Sequence, residues 1–363
     1  MPRPIHTLID LSALEHNLCI VRKHAQNAHI MAVIKANAYG HGLLNTASAL
    51  KAADAFAVLE LDAAVRLREA GIYQPILLLE GFFSETELAI IRQYQLSTVI
   101  HNHEQLAMLS STKQKTKINI FLKINTGMNR LGFTPEEGLA VLNTLRINPY
   151  INQITLMTHF ACADDPSKKD EVNQQLKRFR LFFGKYHLPC SLANSAAILQ
   201  YPEAHADWVR PGIMLYGASP LIDKTSSELG LRPVMTVSSR IIAVQHIDAK
   251  EKVGYGGQFQ AEQPMHIGIV ACGYADGYPR HAPTGTPVLV NGQRTRIVGR
   301  ISMDMLTVDL TGVKNANIGS PVILWGNELP IEEVAKSAGT ISYELFCALS
   351  SRVKALTVTN ENQ

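Results

Sequence analysis

The chain is 363 residues long, 46% hydrophobic and 18% charged, a globular composition with room for two domains or for a barrel with an added unit. Its formal charge of +3 comes without a block of like charge, which argues against nucleic acid or an anionic membrane surface as a partner. Five cysteines without CxxC spacing argue against a disulfide frame, and neither a secretory apolar core in residues 1–10 nor a membrane-length apolar run is present, so a soluble cytoplasmic protein is expected.

In chain order, the first strong signal is the short apolar run 30–34 closed by Lys35, which predicts a buried strand with an ammonium group at its mouth. A partly desolvated lysine has a depressed pKa, the property needed to form a Schiff base or to move protons near neutral pH. Counting the strand over 30–35, further strands are expected over 55–59, 75–80, 97–100, 117–124, 153–160, 189–193 and 207–210. Helical patterns lie between them over 62–70, 85–94, 104–109, 135–145 and 171–186. Ser84 stands before Glu85 and Glu87 as a cap, and Thr134 stands before Pro135, a first-turn proline. Eight strands, each followed by a helical stretch or turn, predict an α/β fold with an N-terminal TIM-type (β/α)8 barrel over 1–231. A doubly wound open sheet is the competing architecture, and the lack of a GxGxxG after any strand counts against it.

After residue 231 helical periodicity fades. Strand-like runs cover 234–244, 265–271, 287–290, 294–298, 305–310 and 321–324, and Asn291-Gly292 between two of them signals a two-residue hairpin. Helices are expected only over 331–338 and 343–350, so 232–363 reads as a mainly-β C-terminal domain.

Ligands of such barrels collect at the carboxyl ends of the strands. Lys35 ends the first strand, His159 the sixth and Arg210 the eighth, while Asn194-Ser195 follows the seventh. Ser195 also opens the helical stretch 196–200, whose N-terminal amides suit an anion, although serine is equally a common helix cap. The run His101-Asn102-His103-Glu104 puts two histidines two residues apart, but no third ligand accompanies them and no metal is expected.

The motifs AVIKANAYGHG, KINTGMNRLG, THFACAD, ANSAA, RPGIMLYG, KVGYGG, CGYADGYPR, GRISMDM and SYELFCALSSRV follow one another along the whole chain. In that order they resemble the motifs of alanine racemase, a family of pyridoxal-phosphate enzymes built from a barrel and a β domain. The resemblance implies that Lys35 carries pyridoxal 5′-phosphate covalently, with the phosphate held by Tyr39, Ser195, the backbone of Gly212 and Ile213, and Tyr343. It implies that Arg210 faces the cofactor's ring nitrogen and, unable to give up a proton, weakens the ring's pull on electrons. Lys35 would serve the D face of the substrate's α-carbon and Tyr255 the L face, with His159 and Arg210 orienting the tyrosine.

In this family the two bases come from different subunits, so a homodimer with shared sites and alanine as substrate is implied. Arg130 and Met303 would hold the substrate carboxylate, with Asp304 in support, and Lys123 stands where some relatives carry a carbamylated lysine. Asp164, Tyr274, Arg280 and Arg300 resemble residues of the substrate access channel. One departure is Ser191, four residues before Ser195, where some relatives carry a histidine that supports Arg210. The rival functions are a broad-specificity amino-acid racemase, a non-catalytic pyridoxal-phosphate-binding protein, and a decarboxylase of similar architecture. Tyr255 argues against the second and Arg210, in place of an acidic residue, against the third.

Overall fold

The computed structural model describes residues 3–111 and 116–359. After a first strand, β1 (His6–Asp10), and a helix over Leu11–His24, eight parallel strands close into a barrel. They are β2 (His29–Val33), β3 (Ala55–Val58), β4 (Ile76–Leu78), β5 (Ser97–Ile100), β6 (Ile118–Lys123), β7 (Ile151–Met157), β8 (Cys190–Asn194) and β9 (Trp208–Arg210). Neighbours pair in sequence order, and β2 pairs with β9 through His29↔Trp208 and Ile30↔Val209, which makes the sheet a barrel and not an open layer. Strands such as β3 and β5 are buried at every position, as expected when helices cover one face and the barrel interior the other. Ser84 accepts a hydrogen bond from Glu87 N, and Thr134 forms a reciprocal capping box with Glu137, so both expected helix starts are in place.

The first 24 residues carry structure that local patterning did not announce. The Asp10 carboxylate ends β1 and accepts from Ser12 N and Ala13 N, starting a helix whose Ala13, Leu14, Leu18 and Val21 face the core. The strand itself lies in the second sheet. It pairs antiparallel with β10 (Met235–Ile247), as in His6↔Ser238, and parallel with a late strand over Lys354–Val358.

Past β10, a two-residue pair β11 (Lys252–Val253) and β12 (Phe259–Gln260) precedes β13 (Met265–Val270). Then come β14 (Pro287–Val290), β15 (Gln293–Arg296), β16 (Leu306–Asp309), β17 (Pro321–Trp325) and β18, the strand over Lys354–Val358. The order across the sheet is β15-β14-β17-β10-β1-β18, with β13 joining through β10 and β16 through β13. Asn291 and Gly292 both have positive φ, 49° and 72°, the geometry of a type I′ turn between β14 and β15. Helices over Ile331–Ala338 and Ser342–Ala348 complete this part, and the second one reaches back toward the barrel mouth. Among the described residues no helix is long and apolar enough to cross a membrane.

Candidate active site

The carboxyl ends of the barrel strands open on a cavity of about 730 Å³. Lys35 lines it, yet it does not sit in the strand: β2 stops at Val33, and Lys35 opens a short turn in which residues 36–39 all have φ between 51° and 55°. Four consecutive non-glycine residues in the left-handed region cost about 1–2 kcal/mol each. The turn aims Lys35 and Tyr39 into the same cavity. Burial, and next the charge of Arg130, push the Lys35 amine below its ordinary value.

Arg210 is buried at the end of β9. One Nη donates to Ser191 Oγ at 2.7 Å, and the other to Thr158 O at 2.7 Å and to Leu192 O at 3.4 Å, leaving Nε–H without a protein acceptor among the described residues. Ser191 therefore supports the guanidinium with a hydroxyl, which in turn donates a hydrogen bond to Trp208 O at 3.3 Å. His159 Nδ1 lies 3.2 Å from Arg210 Nη2. Because a guanidinium only donates, that nitrogen must accept, so His159 is neutral with its proton on Nε2. Burial and then Arg210 hold its pKa well below the ordinary imidazole value.

Tyr39, Ser195, Gly212, Ile213 and Tyr343 line the same cavity. Asn194, not Ser195, caps the helix Ser195–Gln200 by accepting from Ala197 N, so the serine hydroxyl is left to accept from Gly212 N at 2.8 Å. A Cβ on Gly212 would stand 2.6 Å from Tyr39 Oη, so only glycine keeps this small cradle of amide and hydroxyl groups open. Burial raises the pKa of both Tyr39 and Tyr343, whose phenols stay neutral donors. An amine-bearing lysine, a donor-only arginine and a cradle of amide and hydroxyl groups are the donor set that pyridoxal phosphate needs, and the residues fit that group.

Arg130 reaches the cavity because its loop folds back. Asn125 N donates to Phe133 O at 2.8 Å and Phe133 N to Lys123 O at 3.0 Å, which brings Arg130 beside Lys123. Burial first, then Arg210, Arg130 and Lys35, lower Lys123 to about 8. Glu80, His101 and Cys347 also line the cavity; Glu80, at the end of the strand expected over 75–80, and Cys347, inside the SYELFCALSSRV run, were not among the candidate site residues. The two histidines of the His101–Glu104 run part company: His101 bonds Glu80 O at 2.9 Å, while His103 packs edge-on against Phe133.

The remaining candidates lie elsewhere. Tyr255, between β11 and β12, is 71% exposed, and Met303 and Tyr274 are exposed as well. None of Tyr255, Met303, Asp304, Tyr274, Arg280, Arg300 and Asp164 lines the cavity, although Asp164 is close enough to Tyr343 to raise its pKa. Arg300 runs alongside the tyrosine turn, its Nη1 3.7 Å from where a Cβ on Gly256 would sit. Asp304 pairs with Arg352 at 2.5 Å, and both Arg352 and Arg3 bind the fully buried Asp276 at 2.8 Å.

Residues 9–220 match the family described as alanine racemase, N-terminal domain, and residues 234–357 its C-terminal domain. An alanine racemase from Nitrosomonas eutropha is 66% identical over 99% of this chain and 100% of its own length. The crystal structure of a biosynthetic alanine racemase from Pseudomonas aeruginosa superposes with a TM-score of 0.95 at 44% identity, covering 98% of this chain and 99% of that one. That of alanine racemase from a D-cycloserine-producing Streptomyces lavendulae gives 0.89 at 32% identity, with 99% and 98% covered.

Proposed function

The chain belongs to the alanine racemase family and is an isomerase, and from that premise we propose that it interconverts L- and D-alanine with two bases on opposite faces of the α-carbon. The observation that carries the reading is the meeting of Lys35, the Tyr39–Ser195–Gly212 cradle and Arg210 in one cavity. Pyridoxal 5′-phosphate, when bound, acidifies the α-carbon of an amino acid joined to it. Tyr39, Ser195, Gly212, Ile213 and Tyr343 would hold its phosphate and Arg210 its ring nitrogen, with Lys35 as the covalent anchor.

Lys35, with its pKa already lowered, moves the proton on the D face at Nζ. Tyr255 of the partner subunit moves the proton on the L face at its phenolic oxygen. The neutral His159 has an Nε2–H to donate to that oxygen, which stabilises the phenolate. Arg130 holds the substrate carboxylate together with the backbone amide of the partner's Met303, and Lys123, where its amine is carbamylated and so made anionic, steadies Arg130. Asp164, Tyr274, Arg280 and Arg300 belong to the access channel in this reading, and Asp304 keeps the Met303 loop in place. The working form is a homodimer in the cytoplasm, consistent with five free thiols. The role is supply of D-alanine for peptidoglycan precursors or alanine catabolism, and the naming of the Pseudomonas relative as biosynthetic favours the first.

Borohydride reduction of the purified holoenzyme followed by peptide mapping tests the anchor. A pyridoxyl label on Lys35 is expected. A label confined to another lysine, or none, would overturn the mechanism.

A further inference from the structure

His41 stands two residues after Tyr39 and is almost completely buried. Its Nδ1 lies 2.9 Å from Tyr39 O and 3.1 Å from Ala38 O, the carbonyls of the last two residues in the left-handed run. Carbonyls only accept, so the proton is on Nδ1 and is shared between them, and Nε2 is left as a buried lone pair without a partner among the described residues. Burial keeps the ring neutral by lowering its pKa to about 4.

The imidazole is fixed on both sides, 4.6 Å from the Tyr216 ring and edge-on to Phe346 at 4.8 Å. Tyr39 packs on the same Tyr216 at 4.6 Å, and Tyr216 Oη donates to Val33 O at 3.0 Å, the last residue of β2. A left-handed turn of L-residues does not persist unless its surroundings over-determine it. Gly42 N and Leu43 N hold Asn37, and the imidazole grips the last two carbonyls of this turn, on the same tyrosine that seats Tyr39.

We propose that His41 is a positioning residue that locks the left-handed turn and thereby sets the Tyr39 hydroxyl at the Gly212 cradle. The inference rests on the reading of that cradle as the phosphate site. Asparagine places an amide N–H where His41 has Nδ1–H, whereas glutamine carries its amide one bond further out and leucine carries no donor.

The test is titration of the apoenzymes of wild type, His41→Asn, His41→Gln and His41→Leu with pyridoxal phosphate and with pyridoxal, with circular dichroism to confirm folding. His41→Leu and His41→Gln should bind pyridoxal phosphate about tenfold more weakly or worse, with little change toward pyridoxal. His41→Asn should recover most of the affinity. Equal losses for both ligands, or an asparagine variant no better than glutamine, would overturn the proposal, and should leucine fail to fold, the asparagine–glutamine comparison decides it. A wild type that binds pyridoxal phosphate no better than pyridoxal would instead defeat the assignment of the cradle.

Discussion

Four cationic side chains, Lys35, Lys123, Arg130 and Arg210, line one cavity, with Glu80 as the carboxylate among its lining residues. Repulsion between like charges and partial burial both favour losing protons, and the arginines do not lose theirs near neutral pH, so the lysines respond. Lys123 responds to about 8. An unfolded lysine keeps its proton to about 10.4, so between about 8 and that value the unfolded chain binds more protons than the folded one. Stability therefore rises with pH across that window, and below it the folded state carries the whole penalty of a buried charge, of order 3 kcal/mol at most. Replacing Lys123 by Met should stabilise the fold relative to wild type near pH 7, and the advantage should shrink as pH approaches 10. Chemical denaturation of both proteins at several pH values checks this, and a difference independent of pH would show that the amine is not strained by its neighbours.

The turn after β2 is where local propensity and native geometry conflict. Ala36 is exposed at φ 52°, so its strain is a backbone matter with little packing attached. Glycine adopts this region freely, whereas a β-branched side chain does so only with difficulty. Ala36→Gly should hold or slightly raise the melting temperature, since relief of strain is partly offset by glycine's extra freedom when unfolded, and Ala36→Val should lower stability by about 1–2 kcal/mol. Melting of the two variants by calorimetry distinguishes them; a valine variant as stable as the parent would mean that the turn is relaxed. This turn also marks what the sequence could reveal. Strand runs, the Ser84 and Thr134 caps and the Asn291-Gly292 hairpin were legible because each signal is local. β1 was not, because its partners begin 226 or more positions away, as in Ile9↔Met235 and His6↔Ser238. At the site, Lys35, His159, Ser195 and Arg210 were legible because a barrel collects strand ends. Glu80, at the end of the strand expected over 75–80, and Cys347, inside the SYELFCALSSRV run, reach the same cavity although neither residue type pointed to a role there.

Across the whole molecule, the N-terminal strand is sewn into the C-terminal sheet, and the buried Asp276 ties Arg3 to Arg352. Removing one partner from such a buried charge cluster leaves an uncompensated charge, so these contacts fix the loops bearing Tyr274 and Met303. The same arrangement leaves Tyr255 71% exposed and outside the cavity that holds Lys35. A symmetric pair of chains provides a way for each cavity to receive the partner's tyrosine, since an isologous interface repeats the same contact twice. That geometry makes a quantitative demand. A Lys35→Ala dimer and a Tyr255→Phe dimer each carry two defective sites, but a hybrid carries one doubly defective site and one intact site. Random exchange of subunits makes half of the dimers hybrids, so the mixture should regain about one quarter of wild-type racemase activity although neither parent has any. Activity assays after subunit exchange, with size-exclusion chromatography to verify the dimers, measure this. If exchange is complete and activity does not return, both bases act within one chain, and the site would have to close by a movement of the Tyr255 turn toward its own barrel.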